Sequence, residues 1–285
     1  MLAGVWQCHA PTKGTVFPGN FLKTPSSTAN IIRKADLEPE PLKQAMVNTL
    51  PPKPALLPTL ENGDRLDRDE FERRYAAMPH VRKAELIEGV VYMAAALRFR
   101  SHSQPHGRLI TWLGMYESST PVVELGIEPT VRLDLDNAPQ PDAVLMIAEQ
   151  YGGQARLSED DYVEGAPELV VEIAASSAAI DLGAKKRAYR RNGIQEYIVW
   201  QVFEQKLSWF SLEAGDYVSL PVDADGIIRS RVFPGLWLAV EDLLAGNMAR
   251  VLAVVQAGLV SPEQSSFVQK LGDCLNLGHE SANGS

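Results

Sequence analysis

Cysteine is nearly missing from this chain. Cys8 and Cys274 are the only two among 285 residues, and they stand near opposite ends. That pattern excludes a disulfide framework or a cysteine-rich zinc site, and it fits a reducing cytoplasm. Long apolar runs are lacking as well: none approaches the roughly 20 residues needed to cross a bilayer, so no membrane partner is expected. The opening stretch MLAGVWQCHAPTKGTVFPGN does not show the basic-then-apolar layout of a secretion signal. Positive charge is in deficit, with 27 Lys and Arg against 36 Asp and Glu and a formal net charge of −9. A chain of that balance cannot coat nucleic acid through an overall basic surface. Phosphate contact would have to come from a local basic patch or a metal ion. The sequence also has no Walker loop, no dinucleotide-binding glycine fingerprint and no HExxH. Ser176 and Ser177 have no evident His and acid partners, which argues against a serine hydrolase. There is no internal repeat.

What is present is ample core material, with 45% hydrophobic residues. The stretch TLPPKPALLP (49–58) holds four prolines in ten residues, and residues 1–62 read as a flexible arm or linker. Structure is expected to begin with a helix over DRDEFERRYAAMP (67–79), where Phe71, Arg74, Tyr75 and Met78 recur at helical spacing. KAELIEGVVYMAAA (83–96) reads as two strands turning near Gly89. SHSQPHGRLITWLGMYESS (101–119) reads as a helix beginning near Pro105. PVVELGIEPTVRL (121–133) reads as one bent strand, PDAVLMI (141–147) as a short apolar strand, and residues 151–166 as a polar connection. PELVVEIA (167–174) is a strand, 181–192 a helix, and 195–202, 206–212 and 216–222 are further strands. The order implies an α/β (α+β) domain, a mixed sheet flanked by helices with a helix and strands added at its N-terminal side. We place it at 63–245, with a C-terminal helical extension and tail over 246–285. VEDLLAGNMARVLAVVQAGLV (240–260) reads as helical, and its stripe Leu243, Leu244, Met248, Val251, Leu252 and Val255 suits packing or a dimer contact.

One carboxylate is out of place. Glu172 sits inside the apolar strand LVVEIA, where an isolated charge must be neutralised, paired or bound to a metal. Strand alternation puts Val170, Glu172 and Ala174 on one face, opposite Leu169, Val171 and Ile173. Asp142 opens PDAVLMI, and if the two strands are neighbours both acids meet at one end of the sheet. Two hard oxygen donors with waters suit Mg²⁺ or Mn²⁺. At about 100° per residue, Lys185 falls on the packing side of the helix with Leu182, Ala188 and Tyr189, while Lys186, Arg187, Arg190 and Arg191 look outward. Those four cations, with RFRSH (98–102) and Arg108, are candidates for DNA contact. The plainer readings stay open: Asp142 as a turn residue, Glu172 in a structural ion pair with Lys185, and the outward cations as a solvated face.

ELIEGVVYM, HGRLITWL, PDAVLMI, APELVVEI, DLGAKKRAYRRNGIQEYIVW and FPGLWLAVEDLL occur in this order. Together they resemble the Uma-type restriction endonuclease family of the PD-(D/E)XK nuclease superfamily, over about residues 65–245. The resemblance implies a restriction-endonuclease-like core that cleaves DNA. Asp142, Glu172 and the backbone carbonyl of Ile173 would hold Mg²⁺ or Mn²⁺, and Lys185 would orient water or stabilise developing charge. It also implies Glu88 and His106 as supporting residues. The superfamily's lysine two residues after the glutamate is Ala174 here, and Lys185 matches the place to which it has moved in this family. Two departures are the AASSAA segment after Glu172 and Ala184 before the lysine. They motivate the alternative of a catalytically silent scaffold that binds nucleic acid or a protein partner. On the nuclease reading, Asp142→Ala, Glu172→Ala and Lys185→Ala each abolish cleavage with the fold intact. A homodimer is expected by analogy with nucleases that cut both strands.

Overall fold

The computed structural model describes residues 57–94 and 96–283. Cys8, and the arm expected over 1–62 as far as residue 56, lie outside the described residues. Helix α1 (Arg68–Ala76) starts where the Asp67 carboxylate accepts the Glu70 amide at 2.9 Å, a side-chain cap on the first turn. Strands β1 (Ala84–Ile87) and β2 (Val90–Met93) form a hairpin. Its two turn residues, Glu88 and Gly89, have φ of 52° and 73°, the left-handed pair that a type I′ turn requires. A π-helical turn, Phe99–Ser103, leads into α2 (Gln104–Ser118), with Pro105 in the first turn, where its missing N–H costs nothing.

Two strands, β3 (Val123–Ile127) and β4 (Val131–Arg132), replace the single bent strand expected over 121–133. Glu128 takes φ 52° between them and Pro129 has no amide to continue a ladder. Next come β5 (Ala143–Ile147), β6 (Arg156–Leu157), β7 (Val163–Glu164) and β8 (Leu169–Ala174). The segment expected as a polar connection therefore carries two short strands, which join β4 in a small sheet of order β4-β7-β6. Two residues are too few to show an alternation. Helices α3 (Ala178–Ile180) and α4 (Lys186–Arg191) are joined through a second π-helical turn, Asp181–Lys185. Strands β9 (Glu196–Gln201), β10 (Lys206–Glu213) and β11 (Asp216–Ser219) follow, then a hairpin of β12 (Ile227–Arg229) and β13 (Trp237–Ala239). The expected helix over 240–260 is two, α5 (Val240–Ala245) and α6 (Met248–Leu259), parted at Gly246 with φ 82°; α7 (Pro262–Asn283) ends the described chain.

The central sheet has six strands in the order β11-β10-β9-β8-β5-β3. Only β8 and β9 run parallel within it, so the sheet is mixed, with helices on both faces. On one face Leu145, Leu169, Val171 and Ile173 pack with Trp112 and Tyr116 of α2 and with Leu243, Val251, Val255 and Phe267 of α5 to α7. The apolar stripe over 243–255 is thus largely spent inside this core. On the other face Val144, Val170, Ala174 and Val199 pack with Tyr189 of α4. The alternation expected for β8 holds, and Glu172 lies on the α4 side.

Glu196, at the start of β9, shows what a structural buried carboxylate looks like in this fold. It accepts from the Arg231 amide (2.6 Å), the Ser230 hydroxyl (2.8 Å), the Trp209 indole (3.0 Å) and the Val232 amide (3.3 Å). Burial raises its pKa despite those donors. Glu196→Ala strands them, and since each buried unpaired group costs ~1–3 kcal/mol, a loss of about 3 kcal/mol or more is expected in urea unfolding.

Candidate functional site

The β5–β8 register pairs Ala143 with Val171 and Val144 with Val170. Continued by one residue, it sets Asp142 opposite Glu172, on the face that carries α4. Asp142 Oδ2 accepts the Ile173 amide at 2.6 Å and Oδ1 accepts from His102 Nε2 at 3.1 Å, with Lys83 Nζ 3.6 Å away. Glu172 Oε1 takes both Lys185 Nζ (3.0 Å) and the Tyr189 hydroxyl (2.7 Å). Lys185 also reaches Glu85 Oε1 at 2.8 Å and Asp181 Oδ1 at 3.7 Å. The π-helical turn spans Asp181 to Lys185 and buries both on the sheet side, a distortion often found at functional sites. Ser177 donates to Asp181 Oδ2 at 2.6 Å, and the Gln140 amide to Glu85 Oε1 at 2.7 Å. All of these but Tyr189 and Gln140 line one cleft of about 510 Å³, which also includes Leu97, Arg98 and Phe203.

Four carboxylates (Glu85, Asp142, Glu172 and Asp181) share this cleft with two lysines, Lys83 and Lys185, so these six side chains carry a formal excess of two negative charges. Protons or a cation must offset it, and the titration behaviour follows. Burial, together with the charges of Asp181, Asp142 and Glu85, raises Glu172 against the pull of Lys185. Burial likewise raises Asp181. Burial alone would raise Asp142 too, but the His102 hydrogen bond, the Lys83 charge and the Ile173 amide hold it at about 2. For Lys185 burial works against the charge, yet Glu172, Glu85 and Asp181 together raise it well above the ordinary lysine range. Lys83 is raised in the same way by Glu85, Asp142 and Glu172. His102 Nε2 faces the Asp142 carboxylate, while its Nδ1 is buried and has no hydrogen-bond partner among the described residues.

Asp142, Glu172, Lys185 and Ile173 are therefore brought together. His106 stands beside them, its Nε2–H donating to the Asp142 carbonyl at 2.8 Å, so it fixes the backbone of that residue. Glu88 is elsewhere: its carboxylate is clasped by Arg187 (2.6 Å) and Arg191 (2.7 Å) at the surface. Of the other outward cations, Arg190 binds Asp216 at 2.6 Å and Lys186 lies 3.4 Å over the Phe210 ring. The Arg108 guanidinium packs against Gly246 after α5.

Sequence reasoning missed Lys83, Glu85 and Asp181 in this cleft; it placed His102 only in the RFRSH patch and Tyr189 only on the packing side of the helix. Signals for some existed: Lys83 and Glu85 alternate on one strand face, and Asp181 stands four residues before Lys185. A second cleft, about 370 Å³, is lined by Arg68, Arg132 and Arg156. Arg132 there is committed to Glu72 and Asp160, each at 2.8 Å.

Residues 68–241 match the model of the Uma2 family, described as "Putative restriction endonuclease". Among solved structures, one similar chain is a crystal structure of a "putative nuclease belonging to DUF820 from Anabaena variabilis ATCC 29413". It is 14% identical, with a TM-score of 0.48, and the match covers 61% of this chain and 96% of that one. A comparison with curated proteins found no match. With its match spanning more than half its length, the chain belongs to the Uma2 family, and its mixed sheet flanked by helices is the restriction-endonuclease-like architecture.

Proposed function

We propose that this member of the Uma2 family is a metal-dependent endonuclease hydrolysing phosphodiester bonds in DNA. The observation that carries the proposal is the placement of Asp142 opposite Glu172 on the cleft floor, with Lys185 bonded to Glu172. Among the described residues no three His, Cys, Asp or Glu side chains form a ready metal cage. The donor set is instead two carboxylates with the Ile173 carbonyl, and the remaining positions would fall to water. Hard oxygen donors and an uncompensated negative charge fit Mg²⁺ or Mn²⁺. When bound, such an ion lowers the pKa of water and neutralises charge on the scissile phosphate.

The chain's own groups do the positioning. The Ile173 amide and His102 hold the Asp142 carboxylate in one orientation, and Lys185 and Tyr189 do the same for Glu172. Lys185 is 5% exposed, so it acts on charge through Glu172, whereas Lys83 is 21% exposed in the same cleft and is the better placed to meet a phosphate oxygen. The test is incubation of supercoiled plasmid with purified protein in Mn²⁺, Mg²⁺ or EDTA. Nicking with either metal and none in EDTA is the expected result; plasmid and a single-stranded circle both left intact with either metal would favour the silent scaffold. That second reading draws on the same contacts, because Lys185 and Tyr189 already occupy Glu172 Oε1.

A further inference from the structure

We infer that the strand enters this cleft unpaired: the ligand is single-stranded DNA, with a base stacked on Phe203 and its phosphates met by Arg98 and Arg100. The inference rests on the nuclease reading for what happens at Asp142 and Glu172, but its own support is separate. Leu97 and Phe203 line the same cleft as the two acids, yet stand 57% and 64% exposed, and Phe99 beside them is 69% exposed. Phe203 is carried on the turn between β9 and β10, a place where polar and small residues are the rule. Arg98 lines the cleft beside Leu97, and Arg100 follows it in the π-helical turn; both are exposed. Exposed apolar side chains with a cation among them in an acidic cleft match a strand that offers both base faces and phosphates.

A duplex offers no such faces. Its bases cover one another, and a protein reads it through phosphates and groove edges, with affinity drawn largely from a track of cations. The helix with the cations for such a track does not supply it: Arg187 and Arg191 are bound to Glu88, Arg190 to Asp216, and Lys186 is seated on Phe210. With counterion release so limited, stacking on an unpaired base has to carry the binding, because an aromatic side chain stacks without an unstacking cost where the base is already out of the duplex.

The experiment is fluorescence anisotropy of a labelled mixed-sequence oligonucleotide, single-stranded or annealed, with the full chain in Ca²⁺, each sample checked on a gel for intact strands. The single strand should bind more tightly than the duplex. Phe203→Ala should weaken single-strand binding by roughly five- to 150-fold, the range for loss of one base–aromatic stack, and Phe203→Tyr should restore it. Arg98→Gln with Arg100→Gln should flatten the salt dependence. A duplex bound as tightly as the single strand, no binding of either, or an unchanged Phe203→Ala variant would overturn the inference. Failure of the nuclease reading looks different: no metal-dependent cleavage of either substrate, with the single-strand preference and its dependence on Phe203 intact.

Discussion

Lys185→Ala is expected to destabilise the protein by about 3–5 kcal/mol, the cost of leaving a buried charge without its partner. Lys185 is 5% exposed and is the cation shared by Glu85, Glu172 and Asp181. Its removal leaves three carboxylates facing one another, and they can respond only by taking up protons or by opening the cleft to water. The sequence-based expectation that this variant keeps its fold intact does not allow for that burial. A loss of cleavage in Lys185→Ala would therefore say little about chemistry without an unfolding curve beside it. The double variant Lys185→Met with Glu172→Gln separates the two effects. It removes one cation and one anion together and fills the space with apolar and amide groups, so much of the lost stability should return. If Lys185→Ala unfolds at the wild-type urea concentration, the clamp is not holding the cleft.

Asp142→Asn and Glu172→Gln should each lower metal-dependent cleavage by at least about 100-fold while leaving the unfolding midpoint near that of the wild type. The amide side chains keep the shape and most of the hydrogen bonds. In Asp142→Asn the Ile173 amide can still donate to the side-chain carbonyl oxygen, and in Glu172→Gln the Tyr189 hydroxyl can do the same. In Glu172→Gln, Lys185 retains Glu85 and Asp181, and one buried charge disappears, so stability should be equal or slightly higher. Activity and stability are thus expected to part company, which a purely structural role for Glu172 would not produce. Plasmid nicking rates together with urea unfolding of both variants are the check; nicking at the wild-type rate in either would remove that residue from the site.

Local periodicity is what made the centre of the site legible. Glu172 stood out because a two-residue repeat placed it with Val170 and Ala174, and Lys185 because a helical repeat placed it with Ala188 and Tyr189; both sets pack as expected. The pairing of Asp142 with Glu172 needed only that β5 and β8 be neighbours. Contacts that depend on distant chain segments were not legible. His102 reaches Asp142 across 40 residues, and Glu85 meets Lys185 across a hundred, through a hairpin that must first dock on the sheet. The outward cations illustrate the same limit. Their spacing shows which side of the helix they occupy, but only the tertiary fold brings Glu88 and Asp216 there to neutralise three of them. The short strands β6 and β7 failed for another reason, since two-residue elements exist only through pairing, β7 with β4 and β6 with β7, and leave no pattern of their own.

Whether Asp142 and Glu172 form a divalent-cation site is decided by Mn²⁺ titration calorimetry on the wild type and on the Asp142→Asn, Glu172→Gln double variant. A single ion should bind per wild-type chain and none to the double variant, with both proteins folded. Equal binding by the two, or a folded wild type that binds no Mn²⁺, would rule the site out.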